Sequence, residues 1–301
     1  MNPDAAIYLG TIAAIALVLK VTILFNIKIR SKVTECFTLV CLFFILQNAA
    51  EFLGYFTYLK STSLGEFFIH LYMISLFYLF PSILILALAL TKSKNLNLSR
   101  IILYSLATAL TAIYLTGRVV TGFQYLGWSV RTVGGSHYWL AMSLILISSF
   151  LTVAHLTYHL LKNLDPEIRY NARINLFAFL PIGAVAFIVL FLRMAGFDSS
   201  SAISLPIATL LFLYVMLLHT SGNLFWLSTK LRSVIAVLRM NRSSSFELVI
   251  REIEKIRIQE ALKVTSGQQK SAAKILGLTA STLNKRISKY NIDVSGFKKP
   301  A

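Results

Sequence analysis

Seven long apolar runs fill the first 220 residues, and no other feature of the chain limits its fold as strongly. A helix needs about 20 mostly apolar residues to cross a bilayer. The runs lie at Ala5–Asn26, Cys36–Tyr58, Phe67–Leu90, Ile101–Leu115, Tyr138–Leu161, Ile174–Leu192 and Ala202–His219. The fourth is the shortest and is expected to extend to Val120. Helices are expected throughout, because an unclosed strand would leave backbone groups unpaired in lipid. Only 14% of the residues are charged, against about a quarter in a soluble domain. The first run follows Asp4 without a basic leader or a convincing small-residue cleavage site. It is therefore expected to be a retained membrane helix and not a removed signal peptide.

Lysine and arginine orient these spans. One set of loops carries Lys28, Arg30 and Lys32, then Lys92, Lys94 and Arg100, then Lys162, Arg169 and Arg173, then Lys230, Arg232, Arg239 and Arg242. The opposite set carries only Lys60, Arg118, Arg131 and Arg193. Positive charge stays inside, so the N-terminus is expected outside and the C-terminus in the cytoplasm. The expected location is a bacterial cytoplasmic membrane, crossed several times.

Ionisable groups within a span are costly and often functional. Glu51 falls on the outer half of the second run, one helical turn from Gln47 and beside Asn48. Arg118 and Arg193 end the fourth and sixth runs on the same side. Glu51, Gln47, Arg118 and Arg193 thus form a candidate signal pocket; a structural ion pair is the competing reading. Lys20 is expected to snorkel toward the cytoplasmic interface. His155 and His159 have the i, i+4 spacing of metal ligands, but no third ligand lies near in sequence, and a hydrogen-bonding role is expected. Cys36 and Cys41 fall on different faces of one helix and are expected to stay unpaired. The seventh run has no lysine, hence no Schiff-base site for retinal. The outer loop Gly117–His137 is rich in aromatics and glycine, which suits a structured cap or an interfacial aromatic belt.

A basic connector, residues 221–245, follows the membrane half, residues 1–220. Leu224, Leu227, Leu231, Val234 and Leu238 recur at spacings of three and four. They suit a short coiled coil, favoured here, or a helix lying on the inner leaflet. The last segment reads as soluble helix. Ser244 and Glu247 have capping-box spacing, and the first helix of this segment runs to about Thr265. Ile250, Ile253, Ile258, Ala261 and Leu262 form its expected apolar face. Gly267 ends it, a second helix spans about Gln268–Leu276, and Gly277 turns the chain. Thr279 caps a third helix to about Tyr290, with Leu283 and Ile287 inward. Two short helices joined through a glycine turn describe a helix-turn-helix.

From residue 243 onward eleven lysines and arginines face five acids. Lys285, Arg286 and Lys289 on the third helix and Lys270 on the second suit phosphate contacts. Ser281, Thr282, Asn284 and Ser288 suit contacts in the groove.

Two family resemblances accompany these readings. Glu254, Lys255, Ile258, Ala261, Leu262, Gly267, Ala272, Ala273, Leu276–Leu278, Thr282, Leu283, Arg286, Ile287 and Tyr290 closely resemble the Fis-type helix-turn-helix. That resemblance implies a small helical dimer, over about residues 246–293, whose last helix enters the major groove; residues 294–301 would be a tail. Gln268 stands where the family usually has asparagine, and Ala280 and Asn284 where it often has arginine and an aromatic, so no preferred site carries over. Residues 1–220 resemble the seven-helix sensor region of some bacterial histidine kinases, through Gln124–Trp128 with Gly134, Gly135 and Tyr138, and through Asp165–Arg169 with Arg173. The histidine box and ATP-binding glycines of those kinases do not follow.

The expected fold is all-α: a seven-transmembrane helix bundle followed by a small cytoplasmic Fis-type helix-turn-helix domain. The expected protein is a membrane-bound one-component transcriptional regulator, a homodimer whose partners are double-stranded DNA, the lipid bilayer and a small-molecule or membrane signal. The sequence holds no phosphate-binding loop, nucleophile elbow or metal motif, so no enzyme, cofactor or metal is expected. A receptor or transporter whose tail binds protein, and a chromosome tether, are the alternatives.

Overall fold

The computed structural model describes residues 3–27, 31–58, 61–125, 130–195, 197, 204–219, 233, 235–237, 245–265 and 267–297. It divides into two compact units, the larger made of residues 1–25 and 31–216 and the smaller chiefly of residues 217–301. Both are built of helices, as the runs of apolar residues require.

The larger unit holds α1 (Pro3–Asn26), α2 (Lys32–Tyr58), α3 (Thr62–Leu90), α4 (Leu96–Leu115), α5 (Tyr138–Lys162), α6 (Pro166–Met194) and α7 (Ser204–His219). Five of them, α2 to α6, are long and apolar enough to cross a membrane; Gly10–Phe25 and Ser204–Leu217 are shorter apolar stretches. Several helices begin before their apolar runs, because the polar flanks at Lys32, Thr62, Leu96 and Pro166 continue the helical backbone. α3 is the hub. It packs against α2, α4, α5 and α6, and almost every residue from Met73 to Leu90 is buried. The outer faces of α4, α5 and α6 instead expose large apolar side chains, among them Ile101, Phe150, Leu161, Phe177 and Phe187. Apolar surface on that scale is untenable in water and is what a lipid-facing wall presents.

α4 does not reach Val120. It ends at Leu115, Gly117 takes φ +77°, and the chain turns into a strand. The Gly117–His137 segment, expected as a cap or an aromatic belt, contains an antiparallel hairpin of β1 (Val120–Tyr125) and β2 (Val130–Gly134). Trp128 lies outside the described residues. Gly135 closes the hairpin against the turn between α4 and β1: its N–H donates to Val119 O (2.9 Å), and a Cβ there would meet Arg118 O well inside contact distance. Only glycine allows that approach.

The smaller unit contains α8 (Phe246–Val264), α9 (Gln269–Leu276), α10 (Ala280–Lys289) and a 3₁₀ turn at Ser295–Phe297. Its core joins Ile258, Ala261 and Leu262 of α8 to Ala272 and Ala273 of α9 and to Leu283 and Ile287 of α10. Ile292, Val294 and Phe297 complete it from the end of the chain. The N-cap of α8 is Ser245, whose Oγ accepts from Leu248 N (3.4 Å), and not Ser244. Ile250 is not part of the core. The first turns of α8 extend beyond the three-helix packing, so Phe246 (79% exposed), Leu248 and Ile250 remain exposed. Of the connector, only Ser233 and Ile235–Val237 are described, as helix. Leu224, Leu227, Leu231, Val234 and Leu238 lie outside the described residues, so the choice between coiled coil and surface helix falls outside them too.

Candidate functional site

The C-terminal site rests on α9 and α10 and the turn between them. Gly277 takes φ +67°, a left-handed conformation, and lets Leu278 N–H donate to Ala273 O (2.9 Å). Thr279 then caps α10, its Oγ1 accepting from Thr282 N (3.2 Å). The small Ala272 and Ala273 let the other helices approach closely. Leu283 and Ile287, one turn apart, hold one face of α10 in the core.

Residues three and four apart share a helix face, so the opposite face of α10 is a stripe of Ser281, Asn284, Lys285 and Ser288, bordered by Lys289. All five are exposed, as is Lys270 on α9. Thr282 is half-buried and occupied in the cap. Arg286 is tied elsewhere. Its Nη1 donates to Glu254 Oε1 on α8 (2.8 Å), and the Tyr290 hydroxyl donates to Glu254 Oε2. One carboxylate thus fastens the first and third helices together. The bond to Glu254 raises the Tyr290 phenol above its ordinary range, since ionisation would set two anions against each other. Asp293, after the third helix, is held below the usual carboxylate range by hydrogen bonds from the Ser295 hydroxyl and N–H.

A capped, basic third helix seated on two others through a glycine turn defines a helix-turn-helix of the DNA-binding kind. Residues 249–290 match the family model described as bacterial regulatory protein, Fis family. The C-terminal segment is therefore a Fis-type helix-turn-helix, and the chain carries a DNA-binding regulatory module on a helical half suited to membrane association. No curated protein and no solved structure matches the chain.

The membrane half contains a second candidate site, a cavity of about 120 Å³. Glu51, Asn48 and Tyr55 of α2 border it, with Tyr72 of α3, Tyr138 of α5, and Val130 and Thr132 of the hairpin. Gln47 stands behind Glu51, its Nε2 donating to Glu51 Oε2 (2.9 Å). Arg118 is exposed and does not border the cavity. The side chain of Arg193 lies outside the described residues. The cation whose field reaches Glu51 is Lys20. Lys20 does not snorkel: it is fully buried, its Nζ 5.9 Å from the Phe44 ring centroid. A lysine in the last third of α1 and a glutamate in α2 are the sequence signal for this relation; their distance in the chain hides it.

The two α5 histidines are engaged in hydrogen bonds. His155 Nε2 lies 2.8 Å from Thr91 Oγ1 of the α3–α4 turn, and His159 Nδ1 accepts from Asn163 Nδ2 (2.9 Å). Among the described residues no three His, Cys, Asp or Glu side chains group to hold a metal ion. Cys36 and Cys41 are both buried free thiols.

Proposed function

We propose that the chain is a membrane-bound one-component transcriptional regulator. In this reading residues 1–220 form a seven-helix sensor, 221–245 a connector and 246–293 a cytoplasmic DNA-binding domain, with α1 and α7 completing the spans. The carrying observation is the exposed stripe on α10, within a segment that matches the Fis family, in a chain whose other half is an apolar bundle. Lys285, Lys289 and Lys270 bind phosphates, Ser281, Asn284 and Ser288 enter the groove, and Thr282, a groove candidate by sequence, serves in the Thr279 cap beside them. Arg286 borders that surface and positions α10 through Glu254. The excess of lysine and arginine in one set of loops supports a cytoplasmic α10, with the chain in a bacterial cytoplasmic membrane.

Two copies are needed to grip two half-sites about one helical turn apart. The exposed Phe246 and Ile250, one turn apart on α8, supply an apolar patch for that pairing. A signal received by the membrane half then changes how the paired domains are spaced or turned.

Binding of random duplex DNA by the full chain in lipid nanodiscs, followed over a range of salt, tests the reading. Affinity should fall steeply with salt, and Lys285→Ala and Lys289→Ala should each lower the slope of log K against log salt by about one. A folded protein that ignores DNA at low salt rejects the function.

A further inference from the structure

The walls and polar atoms of the membrane cavity restrict what it can hold. Phe52 and Phe56 of α2, Ile69 and Met73 of α3, Ile145 of α5 and Leu190 of α6 make it mainly apolar. An engineered cavity of ~150 Å³ takes a benzene ring, so about 120 Å³ suits a body of one ring. Asn48 is fully buried at this wall. Its Nδ2 donates to Ala13 O of α1 (2.9 Å), while its Oδ1 has no hydrogen-bond partner among the described residues. A buried acceptor left unpaired is costly, and a donor brought by a ligand removes that cost.

Charge makes a further selection. Glu51 is the only charged side chain among the described residues that border the cavity, and the buried Lys20, whose Nζ makes no hydrogen bond among the described residues, is near enough for its field to act on Glu51. A second cation would meet Lys20, and an anion would meet Glu51, in surroundings that screen poorly.

We infer that the cavity binds a small uncharged amphiphile, with an apolar body of about one ring and a hydroxyl head that donates to Asn48 Oδ1. That this ligand is the signal rests on the function proposed above; that the cavity holds it rests on the geometry alone.

Full-length protein in nanodiscs, titrated without DNA by ligand-observed NMR and corrected against empty nanodiscs, tests the assignment. The probes are benzyl alcohol, toluene, benzylamine and benzoate. Benzyl alcohol should bind about tenfold more tightly than toluene, the value of one buried hydrogen bond, and neither charged probe should compete with it. Asn48→Leu should erase the preference for the alcohol. Ala186→Phe, which fills the cavity and leaves the Asn48–Ala13 bond in place, should abolish binding of both neutral probes. Equal binding of toluene and benzyl alcohol to the wild type overturns the inference. So does preference for a charged probe, or binding that survives Ala186→Phe. Saturable benzyl alcohol binding that leaves DNA affinity unchanged supports the cavity assignment and removes only the signalling role.

Discussion

Glu254 ties α8 to the third helix with both of its oxygens, one taken by Arg286 of α10 and one by Tyr290 at its C-cap. Tyr290→Phe removes one of those bonds and should cost the unit about 1–2 kcal/mol at neutral pH. The same contact sets an alkaline limit. The phenol titrates higher in the folded state than in the unfolded one. Its stabilisation is therefore complete below the unfolded value of about 10 and is lost as pH rises through the raised folded value. Hydrogen exchange of α10 amides in the full chain should show protection falling in that window, and less steeply in Tyr290→Phe. An unchanged pH dependence in the variant would mean that the bond is not formed. Gly135 is the corresponding residue in the membrane half. Gly135→Ala would drive a Cβ into the Arg118 carbonyl, and the overpacking should cost about 1–3 kcal/mol, seen as a lower midpoint of thermal unfolding in detergent. A midpoint equal to that of the wild type would contradict the close approach.

At the scale of elements, α8 has two ends with different surroundings. Its second half packs against α9 and α10, and its first half carries exposed Phe246 and Leu248. Phe246→Ser with Ile250→Ser should leave the three-helix core intact, shift the protein toward monomer in crosslinking assays, and weaken DNA binding at least tenfold. A dimer that persists with full affinity would place the pairing surface elsewhere. The helix-turn-helix could be read in advance because its determinants are local: Gly277, the Thr279 cap and the Leu283–Ile287 pair act within a few residues of one another. Other features depend on tertiary contacts. The seam of α8 looked continuous from Ile250 to Leu262, yet only the half that meets α9 and α10 is buried. The hairpin is held by Gly135 against the turn that follows α4 and by β1–β2 pairing, and an aromatic, glycine-rich loop does not announce either. Lys20 near the end of an apolar run resembles an interfacial residue until α2 covers it with Phe44. Polar residues within the spans pointed to Glu51 and Gln47, but not to the cation that accompanies them.

For the whole molecule, the proposed function requires the membrane half and the DNA-binding half to be coupled through the connector. Cysteines introduced at Leu231 would join two copies there once oxidised. Coupling then requires the crosslinked and free forms to differ in DNA affinity by about fivefold or more; equal affinities would break the link between the halves. The Glu254 clamp bears on how such coupling is delivered. Because one carboxylate binds both Arg286 and Tyr290, the proposed function has torsion along α8 passed to α10 through this clamp. In a pair of such modules, a modest twist at the two shafts would swing both readers out of phase with the grooves, so occupancy of DNA could be set by angle alone, without any module unfolding.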